Sequence, residues 1–382
     1  MIQQLRRTTP TLAFFCATAF LVFAGTSPAM PQSPDGPMAP PPGVAIQGAP
    51  PQAPIKVQVS LVNTPVVVRN NKGEMVTNLQ AQDFQVTDNG LPQKITHFDL
   101  GTDPISMVLL VENSSRIAPL LPQVRKTGIL FTQTVLGPTG ETAIVSFNDS
   151  VDKLQDFTSN ADLTETTLAQ LQQGTSGAKL YDAMTTGVEM LTSRPVRNTE
   201  NSANRRIMMI LAESVDYGSF ARLGDVLRKA QLANVTIYGV GLSTTRSELQ
   251  TKEPPQGQTP MTPPGIASRP PFPGSMPTPD NAAAQEGVDF TAIAKWAIQH
   301  AENVVKGQAL QAAAAATGGE EVSTFRDRSI EKAIDQIGGE LHAQYNISYQ
   351  PTDGAVSGYH DISITVANSK LQVRARPGYY LP

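Results

Sequence analysis

The chain contains little cysteine, few aromatic residues and no excess of positive charge. Its one cysteine, Cys16, lies near the N-terminus, so the rest of the chain can form neither a disulfide nor a cysteine-ligated metal site. The 29 Lys and Arg residues are outnumbered by 33 Asp and Glu residues, and there is no basic block of the kind that binds nucleic acid. We therefore expect no disulfide framework and no nucleic-acid partner.

The N-terminus has the pattern of an export signal. Arg6 and Arg7 are followed by an apolar run at 12–24 and then by small residues and proline. This order is typical of a secretory signal peptide, and the run is shorter than the roughly 20 residues of a membrane-spanning helix. We predict a signal peptide at 1–29, no transmembrane helix after its cleavage, and an exported protein that is periplasmic, secreted or outer-surface associated. A retained membrane anchor is the alternative.

Composition divides the rest of the chain into segments. Residues 30–54 are rich in proline and predict an unpacked linker. Residues 55–103 and 344–382 are rich in β-forming residues separated by turn residues. Between them, residues 104–343 predict an α/β domain that is interrupted at 252–286 by a proline-rich, disordered insertion, with a partner-binding polyproline motif as the alternative.

Strand and helix patterns alternate in the α/β segment. Strands are expected at 105–111, 142–147, 206–212, 235–240 and 321–325, and helices near 119–135, 179–192, 220–232, 289–316 and 329–342. Such alternation predicts an α/β fold with a doubly wound, mostly parallel sheet. The flanking β segments are each too small to bury a face alone, so we predict that they pair with each other into a β-sandwich-like domain around the α/β domain.

Glu112-Asn113-Ser114-Ser115-Arg116 directly follows the apolar run at 105–111. The C-terminal end of a buried parallel strand is where an open α/β sheet binds its ligand. An acidic residue and two hydroxyls at this position therefore indicate a ligand-facing loop.

This loop resembles the first metal-site loop of von Willebrand factor type A (VWA) domains, which reads Asp-x-Ser-x-Ser. Other stretches resemble VWA-related exported proteins of the Acidobacteria type: Val66-Val67-Val68-Arg69-Asn70-Asn71-Lys72-Gly73, Asp83-Phe84-Gln85-Val86-Thr87-Asp88-Asn89-Gly90, Val145-Ser146-Phe147, Leu180-Tyr181-Asp182-Ala183, Ala316-Thr317-Gly318-Gly319, Gln344-Tyr345 and Val373-Arg374-Ala375-Arg376-Pro377-Gly378-Tyr379-Tyr380. The resemblance implies a VWA fold with β-rich flanks, and it specifies no biochemical activity.

The resemblance implies a degenerate metal site. Glu112 stands at the family's Asp position, Ser114 at its first Ser, and Arg116 at its second Ser. Ala178 replaces the second-loop Thr, unless a shifted loop brings in Thr175 or Ser176, and Glu213 replaces the third-loop Asp. We predict that Glu112, Ser114 and Glu213 form a site that is vacant or filled by the Arg116 guanidinium. Weak Mg²⁺ or Ca²⁺ binding is the alternative.

VWA domains generally bind macromolecules at this face, so we expect a non-enzymatic, adhesion-like module that binds a protein or another macromolecule. Arg116, Ser115 and Asn113 are the predicted binding residues, and no cofactor is expected. A structural scaffold of the cell envelope is a second hypothesis. A metal-dependent hydrolase with Ser114 as a catalytic residue is a third.

Overall fold

The central strand of the α/β domain is β5 (Ile105–Glu112), and all of its residues are buried. A continuous apolar run forms such a strand because parallel sheets in α/β folds are covered on both faces. The other strands of this sheet are β6 (Glu141–Phe147), β7 (Val151–Thr158), β8 (Arg205–Ala212), β9 (Val235–Gly241) and β10 (Glu321–Ser323). They lie in the order β10-β9-β8-β5-β6-β7. Numbered along the chain, this is the 3-2-1-4-5-6 order of doubly wound folds, as predicted.

The edge strand β7 was not predicted, and it runs antiparallel to β6. The short turn at 148–150 reverses the chain directly after β6. Because β7 is at the edge and mostly exposed, its sequence lacks the apolar run that marks the other strands. The sheet is therefore mostly parallel with one antiparallel edge.

Helices cover both faces of this sheet. The described helices are α1 (Leu121–Val124), α2 (Gly128–Leu130), α3 (Ala161–Ala169), α4 (Leu180–Ser193), α5 (Leu223–Leu232), α6 (Ala309–Thr317) and α7 (Ile330–Ala343). Alternate residues of β5 point to opposite faces, so Val108 and Leu110 pack with α4, α5 and α6. Met107 and Leu109 pack on the other side with α1 and α7.

Two helix predictions need correction. The helix expected near 119–135 is broken into α1, α2 and a π-helical turn at Phe131–Leu136. Pro122 stands in the first turn of α1, where proline is tolerated, and the helix breaks at 125–127, where the Thr127 hydroxyl donates to the Val124 carbonyl at 2.7 Å. The helix α3 was missed. By contrast, α7 begins after Ser329, whose side chain accepts a hydrogen bond from the Lys332 N–H as an N-cap.

The two flanking β segments form a sandwich of two four-stranded sheets. Its strands are β1 (Val62–Arg69), β2 (Phe84–Asp88), β3 (Leu91–Gln93), β4 (Ile95–Leu100), β11 (Tyr345–Tyr349), β12 (Gly358–Val366), β13 (Gln372–Ala375) and β14 (Gly378–Leu381). The sheet orders are β13-β1-β11-β4 and β14-β12-β2-β3. Each sheet mixes strands from before and after the α/β domain, so the predicted pairing is confirmed.

The computed structural model describes residues 61–101, 103–137, 139–194, 204–243, 307–324, 329–351 and 356–381. Four predicted segments lie outside these residues: the signal peptide, the linker at 30–54, the insertion at 252–286 and the first part of the helix expected at 289–316. Within them, none of the helices is long and apolar enough to cross a membrane.

Candidate functional site

Three loops meet at the C-terminal edge of the parallel sheet. The first follows β5, the second precedes α4, and the third follows β8, which pairs directly with β5. Because parallel neighbours end at the same edge, Glu112 at the end of β5 lies beside Glu213, the first residue after β8. The structure thus brings the sequence-predicted residues Glu112, Ser114, Arg116 and Glu213 together.

Glu112 is fully buried and held by two hydrogen bonds. The Ser114 hydroxyl donates to its Oε1 at 2.5 Å, and the Glu213 backbone N–H donates to its Oε2 at 2.8 Å. Burial raises the pKa of Glu112 to about 7, although the Ser114 hydrogen bond and the Arg116 charge act in the opposite direction. The carboxyl group is therefore poised between its neutral and charged forms near neutral pH.

Arg116 forms an ion pair with Glu213, whose side chain is only 3% exposed. The guanidinium also lies over the Tyr217 ring, with 3.9 Å between its central carbon and the ring centroid. Its Nη1 atom is buried without a hydrogen-bond partner among the described residues. The guanidinium therefore pairs with one of the two carboxylates, while Glu112 takes its hydrogen bonds from Ser114 and a backbone amide.

The residues of this edge do not fit a divalent ion well. Ala178, at the family's Thr position, is fully buried and offers no oxygen from its side chain. The Thr175 hydroxyl, the possible substitute, donates to Asn148 at 2.9 Å. The Arg116 guanidinium places a permanent positive charge against Glu213, where a cation would need that carboxylate. In the described part of the chain, no three His, Cys, Asp or Glu side chains form a metal-binding group.

Asn113 and Ser115 differ in their environments. The Asn113 side chain is buried, donates to the Gln172 carbonyl at 2.9 Å and accepts from Asn148 at 3.0 Å. It therefore joins the first two loops and contributes little to an exposed surface, which corrects its prediction as a binding residue. Ser115 is exposed, while its backbone N–H donates to the Thr175 carbonyl at 2.8 Å.

Two aspartates hold the third loop in one conformation. The Asp182 carboxylate, in the first turn of α4, accepts hydrogen bonds from the backbone N–H groups of Phe220 and Ala221 at 2.9–3.2 Å. Asp216 accepts from the Tyr181 N–H and the Ser219 hydroxyl. Asp182 thus links the start of α4 to the neighbouring loop. Side chains carried by this loop are therefore presented in a preorganised position.

The same loop presents two exposed aromatic side chains. Phe220 is 89% exposed and Tyr217 is 46% exposed. The Lys179 amino group lies 4.9 Å from the centroid of the Phe220 ring, next to the Arg116–Tyr217 stack. We call Arg116, Lys179, Tyr217 and Phe220 the aromatic rim. Sequence reasoning missed both aromatics; an aromatic pair in a polar stretch after a buried strand was the available signal.

Comparisons with known proteins add little at the level of sequence. No model of a protein family matches the chain, and no curated protein sequence matches it. Among solved structures, an aerotolerance-related membrane protein from Bacteroides fragilis, solved with multiple mutations to serine, has 11% identity and a TM-score of 0.37. BatB from Bacteroides thetaiotaomicron, described as a conserved hypothetical protein, has 12% identity and a TM-score of 0.38. Each match covers 62% of this chain and 98% of the other.

The VWA domain of SpRpn10 has 13% identity and a TM-score of 0.26, over 38% of this chain and 79% of that domain. The fold assignment rests on the strand order and direction described above.

Proposed function

We propose that this protein is an exported, non-enzymatic module that binds another protein through the aromatic rim. The observation that carries the proposal is the rigid presentation of Phe220 and Tyr217 at the ligand-facing edge of the sheet. Phe220 leaves most of its surface in water, although its backbone is fixed by the Asp182 carboxylate. Exposed aromatic surface on an ordered loop is a common mark of an interaction site.

The composition of the rim supports binding to a protein. Tyrosine, phenylalanine and arginine are enriched in protein interfaces, and they supply much of the binding energy at hot spots. A loop that is already ordered loses little conformational entropy on binding, so more of its contact energy becomes affinity. Arg116 stacks on Tyr217 and Lys179 on Phe220, so these two cationic side chains also lose little conformational entropy on binding.

The proposal includes the absence of catalysis and of a resident divalent ion. Ser114, the hydroxyl that a hydrolase would need, is fully buried and donates to Glu112, so a substrate would not reach it without rearrangement of the loop. The Arg116 guanidinium, paired with Glu213, supplies the positive charge that a cation supplies in a functional VWA metal site. Recognition then depends on the rim surface and requires no added metal.

Site-specific photo-crosslinking in cells that produce the protein natively tests this function. A photoreactive phenylalanine analogue would replace Phe220 in one strain and Tyr217 in another. The exposed residue Leu163 on α3 is the matched control. We expect a discrete adduct with one protein from both rim positions and not from Leu163. Equal labelling at all three positions, or no adduct from the rim, would favour a structural scaffold and reject the proposal.

A further inference from the structure

A groove with a volume of about 530 Å³ extends from Phe220 along the outer side of α5. Thr185 of α4 lines one side, and α5 residues line the other. Helix α5 has ten residues, so it is about 15 Å long at 1.5 Å per residue. That length matches about four or five residues of an extended peptide at 3.3 Å each.

Each end of the groove carries a large apolar side chain. Phe220 stands at one end, and Leu232, which is 47% exposed, stands at the last turn of α5. Val226 is buried between them and forms part of the wall. Large apolar side chains of a bound segment would remove the surfaces of Phe220 and Leu232 from water, which favours binding.

The charge of the groove is opposite to that of the chain. Its lining includes the basic residues Arg222, Arg228 and Lys229 and one acidic residue, Asp225. The whole protein has a net charge of −4. A local excess of positive charge on an acidic protein attracts acidic groups and increases their rate of association.

The basic side chains are not all neutralised by strong ion pairs. Exposed Arg222 forms no ion pair with any described residue. The amino group of Lys229 lies 3.4 Å from Glu189, but both side chains are more than half exposed, and such surface pairs are weak because water screens them. Lys179 adds a further cation beside Phe220. Arginine can hold an incoming carboxylate through two parallel hydrogen bonds.

From the groove's shape, its apolar ends and its charge, we infer that it binds a short, extended, acidic peptide segment of the partner protein. The segment carries at least one large apolar side chain, which packs against Phe220, and carboxylates that pair with Arg222 and Lys229. This inference rests on the proposed function and specifies the chemistry of the partner. It adds a peptide groove to the aromatic rim, and the two share Phe220.

Selection from a random dodecapeptide library displayed on phage tests the inference, with the full-length exported chain as target. Enriched peptides would be synthesised with a fluorescent label, and their affinities measured by fluorescence anisotropy. We expect net negative peptides with an aromatic or large aliphatic residue. Arg222→Glu and Phe220→Ala should each weaken binding at least tenfold, and added salt should weaken it as well.

Lys126→Glu and Ile129→Ala are matched controls, because they make the same kinds of change at exposed positions on the opposite face of the sheet. They should leave binding unchanged, and thermal melts would confirm that all four variants fold. Enrichment of neutral or basic peptides, equal binding by groove and control variants, or no enrichment at all overturns the inference. If rim crosslinks form with a partner while the peptide result is negative, the groove inference fails and the proposed function stands.

Discussion

Removal of the Arg116 guanidinium should destabilise the folded protein measurably. Arg116→Met keeps much of the apolar stem of the side chain but leaves Glu213 without its positive partner. Glu213 is 3% exposed, and the buried Glu112 carboxyl lies beside it, so its charge is largely shielded from water. Removing a positive charge that contacts such a carboxylate is costly because the protein interior stabilises charges poorly.

The expected loss can be estimated from the burial of the pair. Removing one partner of a buried ion pair costs about 3–5 kcal/mol. Arg116 is 21% exposed, so water already screens part of the pair, and we expect the lower end, about 3 kcal/mol at pH 8. At about 2–4 °C per kcal/mol, this corresponds to a decrease of roughly 6–12 °C in the Tm.

Differential scanning calorimetry at pH 8 provides the assay, with the wild-type protein measured alongside the variant. The double variant Arg116→Met with Glu213→Gln removes both charges and should recover most of the stability. A loss below about 1 kcal/mol at pH 8, or no recovery in the double variant, would refute the reasoning.

Two further predictions concern the sandwich and the metal site. The His360 ring nitrogens contact Asp88 Oδ1 at 2.9 Å and the Val356 carbonyl at 2.7 Å; burial opposes the charged ring, but these two bonds raise its pKa above 6.5. This stabilisation is complete below pH 6.5 and is lost as the pH rises through the raised pKa. In thermal melts, the difference in Tm between the wild type and His360→Phe should therefore be largest at pH 6 and smallest at pH 9. The fourfold variant Arg116→Ser, Ala178→Thr, Glu112→Asp and Glu213→Asp restores the ligand set of the VWA family. Isothermal titration should show that it binds Mg²⁺ more tightly than the wild type does. Tight binding by the wild type, or no binding by the variant, would contradict the account.

The sequence was sufficient to predict the buried parallel strands and the pairing of the flanking segments. The β5 run contains almost only apolar residues, and that pattern depends on burial from both faces. The edge strand β7 was missed because it is mostly exposed, so its side chains carry little periodic signal. Helix α3 was missed for a similar reason, since only Thr164 and Leu168 of its residues are buried.

The site was predictable to the extent that it depends on strand ends. Glu112 and Glu213 end adjacent strands, so strand order places them together without knowledge of the side-chain conformations. The environment of Asn113 was not predictable, because its burial depends on the path of the second loop. The exposure of Phe220 depends on hydrogen bonds that its backbone N–H and that of Ala221 donate to a distant helix residue, Asp182, and no local pattern encodes such a contact.

The position of the sandwich explains why the C-terminal edge of the sheet is left for binding. Arg69 of β1 donates to Glu320 and Glu340 at 3.3 and 2.9 Å, and Arg374 of β13 pairs with Glu340 and donates to the Gly319 carbonyl. Glu320 directly precedes β10, so these contacts lie at the N-terminal edge of the sheet. Glu340 is only 1% exposed, and two guanidinium groups offset the cost of burying its charge. Because the sandwich is fixed at one edge by these ion pairs, the opposite edge keeps the aromatic rim free of intramolecular packing by the sandwich.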